Sequence, residues 1–237
     1  MGYNTGDTYE EKIFDICKKK GITPVGSTRA GAAGNKADVE FIHLGKTYKL
    51  EVKNNKNPDY GQKRIHLDVI NNSWLWAKPD SATQFYNQLN VTSFINSNFS
   101  PIWYQKKNPN ATFKRWANNP NTSPYDLIDL KSDQRNFEKR ILIPLQSLFT
   151  YYKNRDTYYI QIEGSGFYHL DSDIAKLGTE QYKGELFLRF RVKHTGHSRG
   201  TADKCQFMAV LKQKTKSKSS LLNIETNSGQ AFPKITP

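Results

Sequence analysis

The stretch ADVEFIHLGKTYKLEVKNN, residues 37–55, alternates apolar and polar side chains on either side of a Gly45-Lys46 pair. Period-two alternation about a turn signal marks a β-hairpin, and it predicts strands at Ala37–His43 and Thr47–Lys53. Residues two apart in a strand share a face, so Glu51 and Lys53 project together while Val52 points the other way. A turn centred on Gly45-Lys46 sets Asp38 opposite Lys53 and Glu40 opposite Glu51. Moving the turn by one residue pairs Asp38 with Glu51 instead. Either register gathers three or four charges on one face. The plain reading of such a face is the solvated side of an antiparallel hairpin. The chemical reading follows from the residue types.

Two carboxylates, Asp38 and Glu51, together with the backbone carbonyl of Val52, are hard oxygen ligands suited to Mg²⁺, with Mn²⁺ as a substitute. Such a cation neutralises charge on a phosphate and acidifies a bound water. A lysine beside it, Lys53, can orient or deprotonate that water or steady the charged phosphate. Hydrolysis of a phosphodiester needs those parts and little else. Glu40 shares the face of Asp38, and balancing a nearby lysine is an equally good use for it.

Charge supports a polyanionic partner. The 237 residues carry 35 Lys and Arg against 22 Asp and Glu, a net charge of +13, which favours nucleic acid or an acidic membrane surface. No run has the length and apolarity of a membrane-crossing helix, and MGYNTGDTYEEK lacks the apolar stretch of a signal peptide. Gly6 stands where a myristoylation motif needs Ser or Thr. Nucleic acid is therefore the expected partner, with no membrane and no small-molecule cofactor. Two cysteines, Cys17 and Cys205, support neither a disulfide framework nor a cysteine zinc site, and suit a reducing, cytoplasmic setting. The wealth of Asn and Lys suggests an AT-rich bacterial, viral or phage genome.

Along the chain, Asp7 is placed to cap a first helix, with Glu10 three residues on as in a capping box and Tyr9, Ile13, Phe14 and Cys17 as its apolar stripe. Lys18 to Lys20 suit its C-terminus and Gly21 ends it. A short strand over Ile22–Val25 and a flexible loop GSTRAGAAGNK precede the hairpin. A further element begins near Gln62, and a helix is expected over Ser81–Ser97. FEKRILIPLQSLFTYYKN predicts a strand then a helix, and TYYIQIEGSGFYHL two strands about Gly164-Ser165-Gly166. ELFLRFRVKHTG and KCQFMAVLKQK each predict a strand. The tail beyond Lys212 is expected to be mobile.

Asp38, twelve intervening residues, then Glu51-Val52-Lys53 resembles the PD-(D/E)xK nuclease superfamily, which holds most type II restriction endonucleases. Ala37 stands where the family name has proline. A Gly-rich loop before the Asp, an apolar strand bearing the (D/E)xK, and GDTYEE opening the preceding helix accompany the pattern. The resemblance implies an α/β (α+β) fold, a mixed central β-sheet flanked by helices. It also implies a place near the metal for the helix glutamate: Glu10 by the match Gly6-x-x-Tyr9-Glu10, with Glu11 second. DYGQK resembles a Gly-Gln element of some family nucleases, which would bring Gln62 to the scissile phosphate or water. The bland roles are a capping box for Glu10 and a solvated loop for Gln62.

On this resemblance the chain is a single nuclease domain over 1–237. Its catalytic core spans about 5–75, an insertion about 79–135, a basic DNA-recognition part about 155–218 and a mobile tail 219–237. The expected activity is Mg²⁺-dependent cleavage of double-stranded DNA at a short specific site, leaving 5′-phosphates. The alternatives are another nuclease of the superfamily (Holliday-junction resolvase, nickase or homing endonuclease) or a non-catalytic DNA-binding protein. Cutting both strands takes two sites, so a homodimer is expected.

Leu186 to Lys218 holds nine Lys or Arg and one acid, Asp203. Arg189, Arg191 and Lys193 alternate with apolar residues, and His194, His197, Arg199 and Lys204 follow. Arg suits bidentate guanine contacts and Lys suits phosphate. With Arg29 and Lys63 these are the candidate DNA-binding residues, against the plain reading of a solvated strand face. His194 and His197 lack the third ligand and helical spacing of a metal site. Trp74, Trp76, Trp103, Tyr104 and Trp116 can stack on bases, although core packing is the commoner role.

Overall fold

A computed structural model describes residues 5–28, 37–54, 58–68, 71, 73–98, 140–195, 204–213 and 219–226. The chain divides into two compact units, the first comprising Met1–Asp59, Ile143–Leu186 and Gln213–Pro237, the second Tyr60–Leu142 and Phe187–Lys212. Both are mixed helix and strand, so the α/β class holds.

Helix α1 spans Thr5–Lys19. Asp7 therefore lies inside the helix rather than at its cap, which corrects the expected start. Tyr9, Ile13 and Cys17 recur four apart, and all three are buried. Gly21, at φ +68°, ends the helix. Its N–H reaches the Lys18 carbonyl at 3.0 Å and that of Ile22 reaches Cys17 at 3.1 Å, the paired bonds of a Schellman motif. Ile22–Val25 forms no strand.

Four strands build the first unit's sheet in the order β1-β2-β6-β7: β1 Val39–His43, β2 Lys46–Lys53, β6 Thr157–Ile162 and β7 Gly166–His169. The hairpin turns at Leu44-Gly45, both left-handed at φ 48° and 72°, as a tight turn of the type I′ kind demands. Strand β6 joins β2 in parallel, with Glu51 beside Ile160 and Val52 beside Gln161, and β7 returns antiparallel. Two of the four strands thus come from beyond residue 155. Helix α4, Leu145–Lys153, leads into β6.

Strand alternation sorts the two faces. Val39, Phe41, Leu50, Val52, Tyr159 and Phe167 are buried in one cluster with the α1 stripe. Each such aliphatic side chain contributes about 2 kcal/mol by leaving water. Asp38, Glu51 and Lys53 have the opposite parity and lie outside that cluster. Residues 219–226 are packed, contrary to the expected mobile tail. Ile224 is buried, Phe167 donates to the Leu222 carbonyl at 2.7 Å, and Glu225 accepts from Lys12 at 2.7 Å.

In the second unit the strand order is β4-β3-β9-β8-β5, from β3 Asp59–Asp68, β4 Ser73–Trp76, β5 Arg140–Ile143, β8 Leu186–Thr195 and β9 Lys204–Gln213. The expected helix over 81–97 is two, α2 Ser81–Gln88 and α3 Val91–Asn98, broken where Asn90 turns left-handed at φ 54°. Asp80 caps α2 reciprocally: its carboxylate accepts the Thr83 N–H at 3.0 Å, and Thr83 Oγ1 accepts the Asp80 N–H at 2.7 Å. Trp74 and Trp76 are core residues. Trp103, Tyr104 and Trp116 lie outside the described residues.

Candidate active site

The hairpin register decides what meets what. Val39 pairs with Leu50 and Glu40 with Lys49, so the next position outward sets Asp38 against Glu51. This is the second of the two registers the sequence allowed. Asp38 Oδ2 accepts the Val52 N–H at 2.8 Å. A strand residue's N–H and C=O point to the same side, so the Val52 carbonyl lies on the Asp38 edge. Lys53 Nζ contacts Glu51 Oε1 at 2.5 Å, and the Tyr152 hydroxyl donates to that same oxygen at 3.0 Å.

A solvated hairpin face would leave these charges in water. The Lys53 and Glu51 side chains are only 14% and 13% exposed, so the outer-face reading does not describe them. Burial pushes the Asp38 carboxyl up to about 8, with the Glu51 and Glu10 carboxylates adding to the rise and Lys53 and the Val52 N–H opposing it. Burial would lower the Lys53 ammonium, yet Glu51 and Asp38 outweigh it and hold the charge on. The Asp38 carboxyl is thus held well above the usual carboxylate range beside the Glu51–Lys53 contact.

This donor set fits a divalent cation. Two carboxylates crowd in a partly dry setting, and the cost of ionising both appears as the upward shift of Asp38. Among the described residues no group of three or more His, Cys, Asp or Glu is gathered as a metal site, but Mg²⁺ is commonly bound by one or two carboxylates with waters and phosphate. Asp38, Glu51 and the Val52 carbonyl are the residues that would hold it.

The other sequence candidates fall in various places. Glu10, on α1, acts on the charges of both Asp38 and Lys53. Glu11 is exposed. Glu40 stands across from Lys49, while Lys49 also approaches Asp156 at 3.5 Å. Gln62 is exposed on β3, in the second unit. Lys63, on the same strand, is paired with Asp80. Arg189 is half-buried on β8. The backbones of Arg191, Lys193 and His194 belong to β8 and that of Lys204 to β9, with their side chains outside the described residues. Arg29, His197 and Arg199 lie wholly outside them.

Two residues escaped the sequence reading. Tyr152 sits in an amphipathic helix whose pattern marks burial but not its partner 101 positions away. Gln161 interrupts the apolar strand TYYIQI, and that interruption was the available signal. Fully buried beside Val52, it donates to Tyr9 Oη at 3.1 Å and Asn223 Oδ1 at 2.8 Å, and accepts the Ile224 N–H at 3.2 Å. It thereby ties α1, one residue before Glu10, to the C-terminal segment.

Glu51 and Lys53 on the inner strand β2, with Asp38 just ahead of the edge strand β1, bring two carboxylates and an ammonium together beside one mixed sheet. No family model matches the chain, and no curated protein matches it. The chain is similar to a solved structure of HhaI endonuclease in complex with DNA, at 9% identity and a TM-score of 0.46, over 91% of this chain and 93% of that one.

Proposed function

We propose that the protein is a Mg²⁺-dependent endonuclease that cuts double-stranded DNA at a short specific sequence, of the type II restriction class. The observation that carries this reading is the half-buried trio itself: Asp38 opposite Glu51, with Lys53 ion-paired to Glu51 on the same face. The net charge of +13 supports a polyanionic substrate.

Asp38, Glu51 and the Val52 carbonyl would hold the cation. Bound there, it supplies charge neutralisation at the phosphate and a more acidic water. Lys53 keeps its proton and donates hydrogen bonds, either to a non-bridging phosphate oxygen or to the attacking water. The water releases a proton to solvent and its oxygen forms a bond to phosphorus as the bond to the 3′ oxygen breaks. The departing 3′ oxygen takes up a proton, which leaves a 3′-hydroxyl and a 5′-phosphate. Glu10 adds negative charge near Asp38 and Lys53, which would add to the attraction for a cation. Cutting both strands calls for a homodimer. Arg189, Arg191, Lys193 and Lys204 on β8 and β9, with His194, His197, Arg199, Arg29 and Lys63, are the proposed DNA contacts, and Gln62 a proposed phosphate contact.

Incubating the protein with plasmid DNA and Mg²⁺, beside Asp38→Ala and Lys53→Ala, tests this. Discrete fragments ending in 5′-phosphates, lost in both variants, are expected. Cleavage confined to branched DNA would instead assign a resolvase. DNA binding with no cleavage under Mg²⁺ or Mn²⁺ would overturn the enzymatic reading.

A further inference from the structure

We propose that Tyr152 is a positioning residue that clamps Glu51 by one carboxylate oxygen and so keeps the other turned to a divalent cation. The inference rests on the metal-dependent reading above.

A buried tyrosine hydroxyl needs an acceptor. Tyr152 is almost fully buried, and its acceptor is the Glu51 carboxylate rather than a carbonyl of its own helix. Hydrogen bonds to an ionised acceptor are the strong ones. Glu51 Oε1 takes two donors, Tyr152 Oη at 3.0 Å and Lys53 Nζ at 2.5 Å, which restrains an otherwise soft terminal torsion. Among the described residues no hydrogen bond reaches Glu51 Oε2. Asp38 repeats the arrangement: Oδ2 accepts the Val52 N–H, and no described residue bonds Oδ1. Each carboxylate is held by one oxygen and presents the other.

The two donors on Glu51 Oε1 differ in what else they must do. Lys53 has to serve phosphate or water during the reaction, and shares its three N–H donors between them and Glu51. Tyr152 has no such second task and is itself braced. The Tyr151 ring meets it edge to face at 5.0 Å. The Arg155 guanidinium in turn lies 5.5 Å from the Tyr151 ring. When Lys53 turns to the substrate, Tyr152 is what still orients Glu51.

The test is calorimetric titration of DNA-free protein with Mn²⁺, for wild type, Asp38→Asn, Tyr152→Phe and Tyr151→Phe. Groups that orient a metal ligand typically change affinity by about 10-fold or more. The expected result is binding by wild type, none by Asp38→Asn, about 10-fold weaker binding by Tyr152→Phe, and wild-type affinity for Tyr151→Phe. Equal affinity of wild type and Tyr152→Phe overturns the role of Tyr152 and leaves the nuclease reading standing. An equal loss in Tyr151→Phe makes the effect one of packing and also overturns it. Absence of Mn²⁺ binding by wild type removes the metal reading and this inference with it. Should Tyr152→Phe not fold, tyrosine-ring NMR of the wild type during Mg²⁺ titration decides: no shift of any tyrosine resonance overturns the proposal.

Discussion

Asp38 and Glu51 face each other one position beyond the last paired residues of the hairpin, Val39 and Leu50, and the Asp38 carboxylate is fastened to the Val52 N–H at 2.8 Å. That single bond makes an aspartate outside the strand part of the site. It also explains why the two acids are close enough for Glu51 to help push the Asp38 carboxyl up to about 8, after burial itself.

This shift has a definite sign. Below about pH 4 Asp38 is protonated in both folded and unfolded chains and contributes no difference. Between about 4 and about 8 the unfolded chain has released its proton while the folded one still holds it, so the folded state binds more protons and stability falls as pH rises. Denaturant midpoints in chelator should drop from pH 5 to pH 8, and drop less in Asp38→Asn. Equal slopes would refute the assignment.

Removing Lys53 alone leaves Glu51 half-buried with its charge uncompensated. Lys53→Ala should cost about 3 kcal/mol in chemical denaturation. A Glu51→Gln, Lys53→Met double variant, which removes both charges, should recover most of that loss, although neither form is expected to cut DNA. A double variant less stable than Lys53→Ala would contradict this account.

Gly166 sits at φ +118°, where a Cβ would meet the Leu222 carbonyl at 2.7 Å and the Ser220 Cβ at 2.9 Å. Gly166→Ala should destabilise by about 2 kcal/mol. It should also speed proteolysis of the 219–226 segment, read by mass spectrometry.

The hairpin turn offers a gain. Leu44 is left-handed at φ 48° and 68% exposed, so Leu44→Asn relieves backbone strain and loses little burial. A rise of about 0.5–1 kcal/mol in unfolding free energy is expected with activity unchanged.

The hairpin, the α1 stripe and the strands β6 to β9 were legible because each declares itself within ten or so residues, through alternation or a 3.6-residue period. The α2–α3 break was less so: asparagine suits a left-handed turn, but Asn87, Asn90, Asn96 and Asn98 all offered one. Turn placement misled for a related reason: Gly45 signalled the turn, but its partner was an ordinary leucine, and the shift from Gly45-Lys46 to Leu44-Gly45 moved Asp38 from Lys53 to Glu51.

The sequence alone determined which residue types could do chemistry, and that Asp38, Glu51 and Lys53 share a strand face with Val52 turned to the core. That follows from the two-residue repeat of a strand, a local property. Tertiary structure decided the rest: that the face is covered, that Tyr152 and Lys53 share one oxygen of Glu51, and that Gln161 fastens residues 223 and 224 beside α1. These depend on β6 entering in parallel beside β2 and carrying α4 with it. A parallel crossover is set by long-range packing, which leaves no periodic trace in the chain.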